Sequence, residues 1–229
     1  MNGDLANAQL WPNAPGQGLS RKEDIVEIKT VLCPIDFSPL SDKELGLAAE
    51  LCERFGARMI VHHNIDVVPP ICLANAWMYS ETHMYPEEEK EAEASRELEK
   101  ILENLPKSIQ REGKITFGNL DESILFLARQ LPADLIVMAT HGPSRSQHAS
   151  DTDRVLTQSP CPVLTIRDAG ATALFPQRTT NACSLEPVVL PMDFSPHSIR
   201  ALEYALSLMD VLPLQLHLLH VEAPLSFGD

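Results

Sequence analysis

The chain has 229 residues, enough for one large or two small domains with a buried core, and its five cysteines form no CxxC pair and no even framework. Acidic side chains outnumber basic ones 32 to 18, giving a net charge of −14 and a pI near 4.9, which excludes nucleic-acid binding by phosphate neutralisation and disfavours anionic membranes. No stretch approaches the roughly 18 apolar residues of a membrane span and no basic start precedes an apolar run, so a cytoplasmic protein is expected, with Cys33, Cys52 and Cys161 as buried thiols.

Residues 1–24 are rich in Pro, Gly, Asn and Gln, lack an apolar period, and read as a flexible leader. A first domain is expected over 25–168. Ile28 to Asp36 is short, apolar and β-branched, hence a strand, and the spacing of Leu45, Ala48, Leu51, Cys52 and Phe55 predicts a helix behind it. Ser41 and Glu44 have the spacing of a capping box, and Gly56 is a natural helix stop. Arg58 to Asp66 predicts the second strand. After a loop holding Pro69, Pro70, Trp77 and Tyr79, a long helix is expected from about Pro86 to Gln110, bent or ended at Pro106. Its acidic run, Glu87 to Glu103, is interleaved with Lys90, Arg96 and Lys100, the pattern of a solvated helix face; a docking face for a basic partner is the other reading. Lys114 to Gly118 predicts a third strand, Asp121 opens a helix reaching Leu131, and Asp134 to His141 and Cys161 to Ile166 predict the fourth and fifth strands. Strands alternating with helices imply a parallel sheet covered on both faces, an α/β fold.

A linker is expected over 169–186, and then the opening motif returns. Val31–Val68 aligns without a gap on Val188–Leu225, at the constant spacing that separates Asp36 from Asp193. Pro34 falls on Pro191, Phe37-Ser38-Pro39 on Phe194-Ser195-Pro196, Ser41 on Ser198 and His63 on His220, while apolar helix positions such as Leu45 and Leu202 also coincide. This duplication makes 187–229 a partial second unit, β-α-β. Two strands and one helix leave an open sheet edge, so this unit is expected to pack on the first domain or on another chain.

In an open parallel sheet, ligands bind beyond the carboxyl ends of the strands, where the connections diverge. The segments arriving there are Pro34-Ile35-Asp36, then His63-Asn64-Ile65-Asp66, then Met138 followed by Thr140-His141-Gly142. An aspartate there accepts hydrogen bonds from a ribose or an adenine amine, and a glycine lets the backbone approach phosphate. Turn chemistry offers a competing reading of Asp36, as the cap of the Ser-Pro turn behind it. His62 and His63 face opposite sides of their strand, so they cannot chelate one metal, and His63 reads as a packed or hydrogen-bonded strand histidine. Asp36 and Asp66 together are weak evidence for a catalytic Mg²⁺ site. The motifs G-x-x-x-x-G-K-[ST], G-x-S-x-G, HExxH and G-x-G-x-x-G do not occur.

The segments VLCPIDFSPLS, VHHNID, DLIVMATHGPSRS and SDTDRVLTQSPCPVLTI resemble the successive signature segments of the universal stress protein family over residues 28–167, and 188–225 resembles the start of a second such domain. The resemblance implies an open five-stranded parallel sheet of order 3-2-1-4-5 with helices on both faces. It also implies pairing of two copies through the fifth strand, here Cys161, Val163, Leu164 and Ile166, and, in one subclass, ATP at the strand-end edge. That subclass holds the phosphates on a Gly-x-x-Gly, nine residues, then Gly-Ser or Gly-Thr. Gly142 is in place, but Arg145 stands at the second glycine position, and the later pair is Ala149-Ser150, followed by Asp151, after a three-residue shortening. Asn64 stands where the family usually places a valine against adenine. Side chains at glycine positions block close approach of phosphate to the backbone.

The expected function is therefore a non-catalytic stress-response or regulatory protein, a dimerising sensor or adaptor with a degraded nucleotide site, no tightly bound cofactor and an unknown protein partner. The alternative is a competent binder of ATP or another adenine nucleotide with slow ATPase activity, using Pro34, Asp36, Asn64, Gly142, Arg145 and Ser150. The second unit repeats only part of that edge, as Pro191, Asp193 and Val221.

Overall fold

The structure is a computed structural model that describes residues 27–66, 87–139, 148–166 and 186–222. The expected leader, the loop after the second strand, and Thr140, His141, Gly142 and Arg145 lie outside the described residues. The described elements are β1 (Thr30–Ile35), α1 (Pro39–Phe55), β2 (Arg58–Ile65), α2 (Glu87–Asn104), β3 (Arg111–Phe117), α3 (Leu120–Gln130), β4 (Leu135–Ala139), α4 (His148–Gln158) and β5 (Val163–Ile166), followed by β6 (Glu186–Pro191), α5 (Pro196–Leu208) and β7 (Leu214–Leu219).

β1 consists entirely of buried residues, as a central strand covered on both faces requires. The first five strands form one sheet of order β3-β2-β1-β4-β5, and every pairing is parallel. Alternation along β1 divides the core into two layers. Val31, Cys33 and Ile35 pack with Leu45, Ala48 and Leu51 of α1 and Leu98 of α2. Leu32 packs on the other side with Ile60 of β2, Ile124 and Leu127 of α3, and Val155 of α4. The chain leaves β1 towards β2 and later crosses to β4, so the ends of β1 and β4 form the divergence point of the sheet.

Several boundaries and one cap differ from expectation. Ser41 and Glu44 do not form a capping box. With Pro39 in the first turn, α1 starts after Ser38, so Ser41 and Glu44 already lie inside the helix and both are buried. Gly56 does close α1, at φ 66°, with its amide bonded back to the Cys52 carbonyl. α2 ends at Asn104, ahead of Pro106, and its exposed glutamates carry an Lys100–Glu97 ion pair at 2.7 Å. β3 begins at Arg111, earlier than its apolar residues suggest, because it runs alongside β2 from Met59 to Ile65. The helix α4 was not expected: of its described side chains only Thr152 and Val155 are buried, too sparse a stripe to stand out. Cys33 and Cys52 are buried free thiols, whereas Cys161 is only half-buried.

A second β-α-β unit is present. β6 and β7 form a separate two-stranded parallel sheet whose register, Glu186 on Leu214 through Pro191 on Leu219, reproduces that of β1 on β2. α5 has no buried residue, while Leu212, in the turn before β7, is buried and joins the core layer under α1.

Candidate functional site

A cleft of about 230 Å³ opens at the carboxyl ends of β1, β2 and β4. Pro34, Ile35 and Asp36 reach it from β1, Asn64 from β2, Met138 from β4 and Asp151 from the first turn of α4. These sequence-predicted residues are thus brought together. Ser150 lies in α4, with its side chain outside the described residues. Pro191, Asp193 and Val221 do not line this cleft; they are exposed at the strand ends of the second sheet, Val221 at 77 %. The cleft has four further polar or acidic lining groups, Glu44, His63, Asp66 and Thr152, with Leu120, Ile124 and Ala139 completing the wall.

Asp36 performs the turn role that its sequence context offered. Its Oδ1 accepts from the Ser38 amide and the Ser41 hydroxyl, both at 2.9 Å. Burial pushes the Asp36 carboxyl up, but these hydrogen bonds outweigh it and hold the group below the usual carboxylate range. The next residue, Phe37, takes a left-handed φ of 59°, which a bulky side chain adopts only under constraint. Its ring stacks on His63 at 4.0 Å, and His63 Nδ1 lies 3.0 Å from the Ile35 carbonyl oxygen, donating in the Nδ1–H tautomer. Burial lowers the His63 pKa, favouring a neutral ring. His63 is the hydrogen-bonded strand histidine expected, and it also forms part of the cleft wall.

Asn64 has committed its amide. Its Nδ2 donates to the Gly118 carbonyl at 2.7 Å and to Asp66 Oδ1 at 3.3 Å, and its Oδ1 accepts from Thr116 at 2.9 Å. Thr116 also meets His62 Nε2 at 2.7 Å; since the hydroxyl proton is used on Asn64, Nε2 is the donor there. His62 is completely buried on the opposite face from His63, and burial brings its pKa down to about 4.

Glu44 is the residue that sequence reasoning placed elsewhere. It projects from α1 to the cleft floor, is only 3 % exposed, and its Oε1 accepts a hydrogen bond from the Ala139 amide at the end of β4. Burial is the main cause that raises its carboxyl to about 8, with nearby Asp36 adding to the shift and the Ala139 and Ser41 hydrogen bonds opposing it. One signal existed: the repeat places an alanine, Ala201, opposite Glu44, so the carboxyl belongs to the first unit alone.

The cleft is lined by four carboxyl groups, Asp36, Glu44, Asp66 and Asp151, and among the described lining residues there is no Lys or Arg. Among the described residues, no group of three or more His, Cys, Asp or Glu stands close enough to hold a metal ion. The arrangement suits a small, largely apolar body with a hydrogen-bonding edge, below the roughly 300–1,000 Å³ usual for ligand pockets.

A family model described as the universal stress protein family matches residues 27–167. The chain is 27 % identical to universal stress protein G of Escherichia coli O157:H7 over 146 residues, which covers 61 % of this chain and 99 % of that protein, and equally to the Shigella flexneri protein of that name. Among solved structures, universal stress protein UspA from Lactobacillus plantarum is 23 % identical with a TM-score of 0.44, covering 62 % of this chain and 99 % of that one. The Archaeoglobus fulgidus universal stress protein solved in complex with dAMP is 17 % identical, with a TM-score of 0.45, covering 61 % and 98 %.

Proposed function

The chain belongs to the universal stress protein family, and from that premise we propose that it is a non-catalytic regulatory member, a dimerising sensor or adaptor with a weakened nucleotide site, working in the cytoplasm. The observation that carries this reading is the charge of the cleft. Four carboxyl groups face it, from two strand ends and two helices, with no described basic side chain among them. A triphosphate entering such walls meets the acidic groups other than Glu44, which burial keeps protonated near neutral pH, as like charge at short range in a medium less polarisable than water, where each close pair costs far more than at a free surface. Polar groups are also spent internally: Asp36 Oδ1 on its turn and the Asn64 amide on Gly118, Asp66 and Thr116.

Assembly has its own support. β5 pairs only with β4 among the described strands, and Cys161, Val163 and Leu164 are half-buried rather than buried. Pairing with the same strand of a second copy covers its outer edge symmetrically.

Calorimetric titration with ATP and Mg²⁺ tests the nucleotide reading, and light scattering tests the assembly. Millimolar or absent ATP binding together with a dimer mass is the expected result. Micromolar ATP binding favours the competing reading, a competent adenine-nucleotide protein, and a monomer at micromolar concentration sinks the adaptor dimer.

A further inference from the structure

The Ala139 amide sits where β4 delivers its chain to the cleft, the place at which a parallel strand end offers a donor to an incoming anion. In this chain the donor is already taken. Glu44 reaches across from α1, ninety-five residues away in sequence, and its Oε1 accepts that proton. The carboxyl is itself a cleft-lining group and 3 % exposed. Burying a carboxyl group costs free energy unless its partners compensate. The equivalent position of the repeated unit is Ala201, on a helix of the same register following the same Asp-Phe-Ser-Pro turn.

We propose that Glu44 is an internal plug: its carboxyl occupies the Ala139 amide as a stand-in for a ligand anion and thereby closes the cleft to the phosphate of a nucleotide, while leaving room for an uncharged nucleoside. The proposal rests on the reading of this cleft as a weakened nucleotide site and assigns the weakening to one side chain. Asp36 reinforces the exclusion. Its Oδ1 is tied to Ser38 and Ser41, and Ser41 lies between the two carboxyl groups, one helical turn before Glu44. A phosphate reaching for Ala139 therefore has to displace one carboxyl and approach another.

The test uses the full chain as wild type, Glu44→Ala and Glu44→Gln, each titrated calorimetrically with ATP and Mg²⁺ and, separately, with adenosine as the probe lacking phosphate. Glu44→Ala frees the amide and removes the acid, and its ATP affinity should rise about tenfold or more, with adenosine affinity changing less than about threefold. Glu44→Gln keeps an oxygen that accepts the Ala139 proton, so its ATP affinity should stay near that of the wild type. Glu44→Ser, which truncates the plug but keeps a hydroxyl beside Ser41, takes the place of the alanine variant if that one does not fold. A folded truncation variant that binds adenosine and gains nothing for ATP overturns the plug and leaves the weak-site reading standing. Glu44→Gln matching Glu44→Ala also overturns it, because charge rather than occupancy would then exclude the phosphate. Micromolar ATP binding by the wild type defeats the weak-site reading and the plug with it.

Discussion

Leu32 and Val189 hold the same place in two copies of one β-α-β unit, yet Leu32 is completely buried and Val189 is 59 % exposed. The local geometry around them hardly differs. Phe37 and Phe194 take φ of 59° and 60°, Asp36 and Asp193 each accept from the amide two residues on at 2.9 Å, and His63 and His220 each place Nδ1 against the carbonyl 28 residues earlier. The strand-turn-helix motif is thus a local construction that holds with or without a surrounding sheet. What separates the copies is cover. The first has α3 and α4 over its second face and β3 and β4 at its edges, whereas β6 and β7 pair only with each other among the described strands.

The comparison is sharpest in the core. Leu32→Ala should cost about 2–5 kcal/mol in urea denaturation, because it empties a closed layer against Ile60 and Ile124. The matched Val189→Ala should change stability by no more than about 0.5 kcal/mol. Equal losses at both positions would show that the second sheet has a buried face after all.

Glu44 and Ala201 separate the copies next, through pH. Burial raises the Glu44 carboxyl from 4.5 to about 8, so the folded state keeps a proton that the unfolded chain gives up within that window. The resulting stability is complete below pH 4.5 and is lost as pH rises towards about 8. The charged neighbour is Asp36, and the Cys33 thiol beside it is itself pushed well up by burial. At about 1.4 kcal/mol per pKa unit as an upper bound, the wild type should lose a few kcal/mol across this range relative to Glu44→Gln in denaturation curves. His62, lowered to about 4 by burial, acts in the opposite sense in both proteins and cancels in the difference. Ala201→Glu, at an exposed position, should introduce no such slope.

The smallest contrast is expected at the paired histidines. His63→Ala removes a stack at 4.0 Å and a half-buried hydrogen bond, and should lower stability by about 1 kcal/mol. His220→Ala should cost less, because its ring is exposed and tilted against Phe194 at 4.8 Å, where water replaces what is lost. Thermal melts of the two variants measure the difference.

Much of the fold was legible because its signals are periodic or repeated. The apolar runs of β1 and β4 and the return of Asp-Phe-Ser-Pro announced the parallel sheet and the duplication, while the strand order came from the family resemblance. α4 escaped because the two buried side chains among those described make no stripe, and the start of β3 because its pairing with β2, not its own composition, sets it. Within the site, Pro34, Ile35, Asp36, Asn64 and Met138 could be placed at strand ends from the chain order, whereas Asp151 came only with the family resemblance. Glu44 could not. Its spacing from Ser41 matched a helix cap, and only the position of Pro39 moves it one turn into the helix and onto the cleft floor.

By itself the sequence determined the alternation of strands and helices, the repeat, and the turn in which an aspartate holds a strained phenylalanine, since these depend on neighbours within a few residues or on one helix following one strand. Only the tertiary structure decided which carboxyl meets the Ala139 amide, which partners use up Asn64, and which copy of the motif has a buried face. Those outcomes are contacts between segments dozens of residues apart, and burial, which sets both the charge state of Glu44 and the value of Leu32, exists only once the second layer of helices has closed over the sheet.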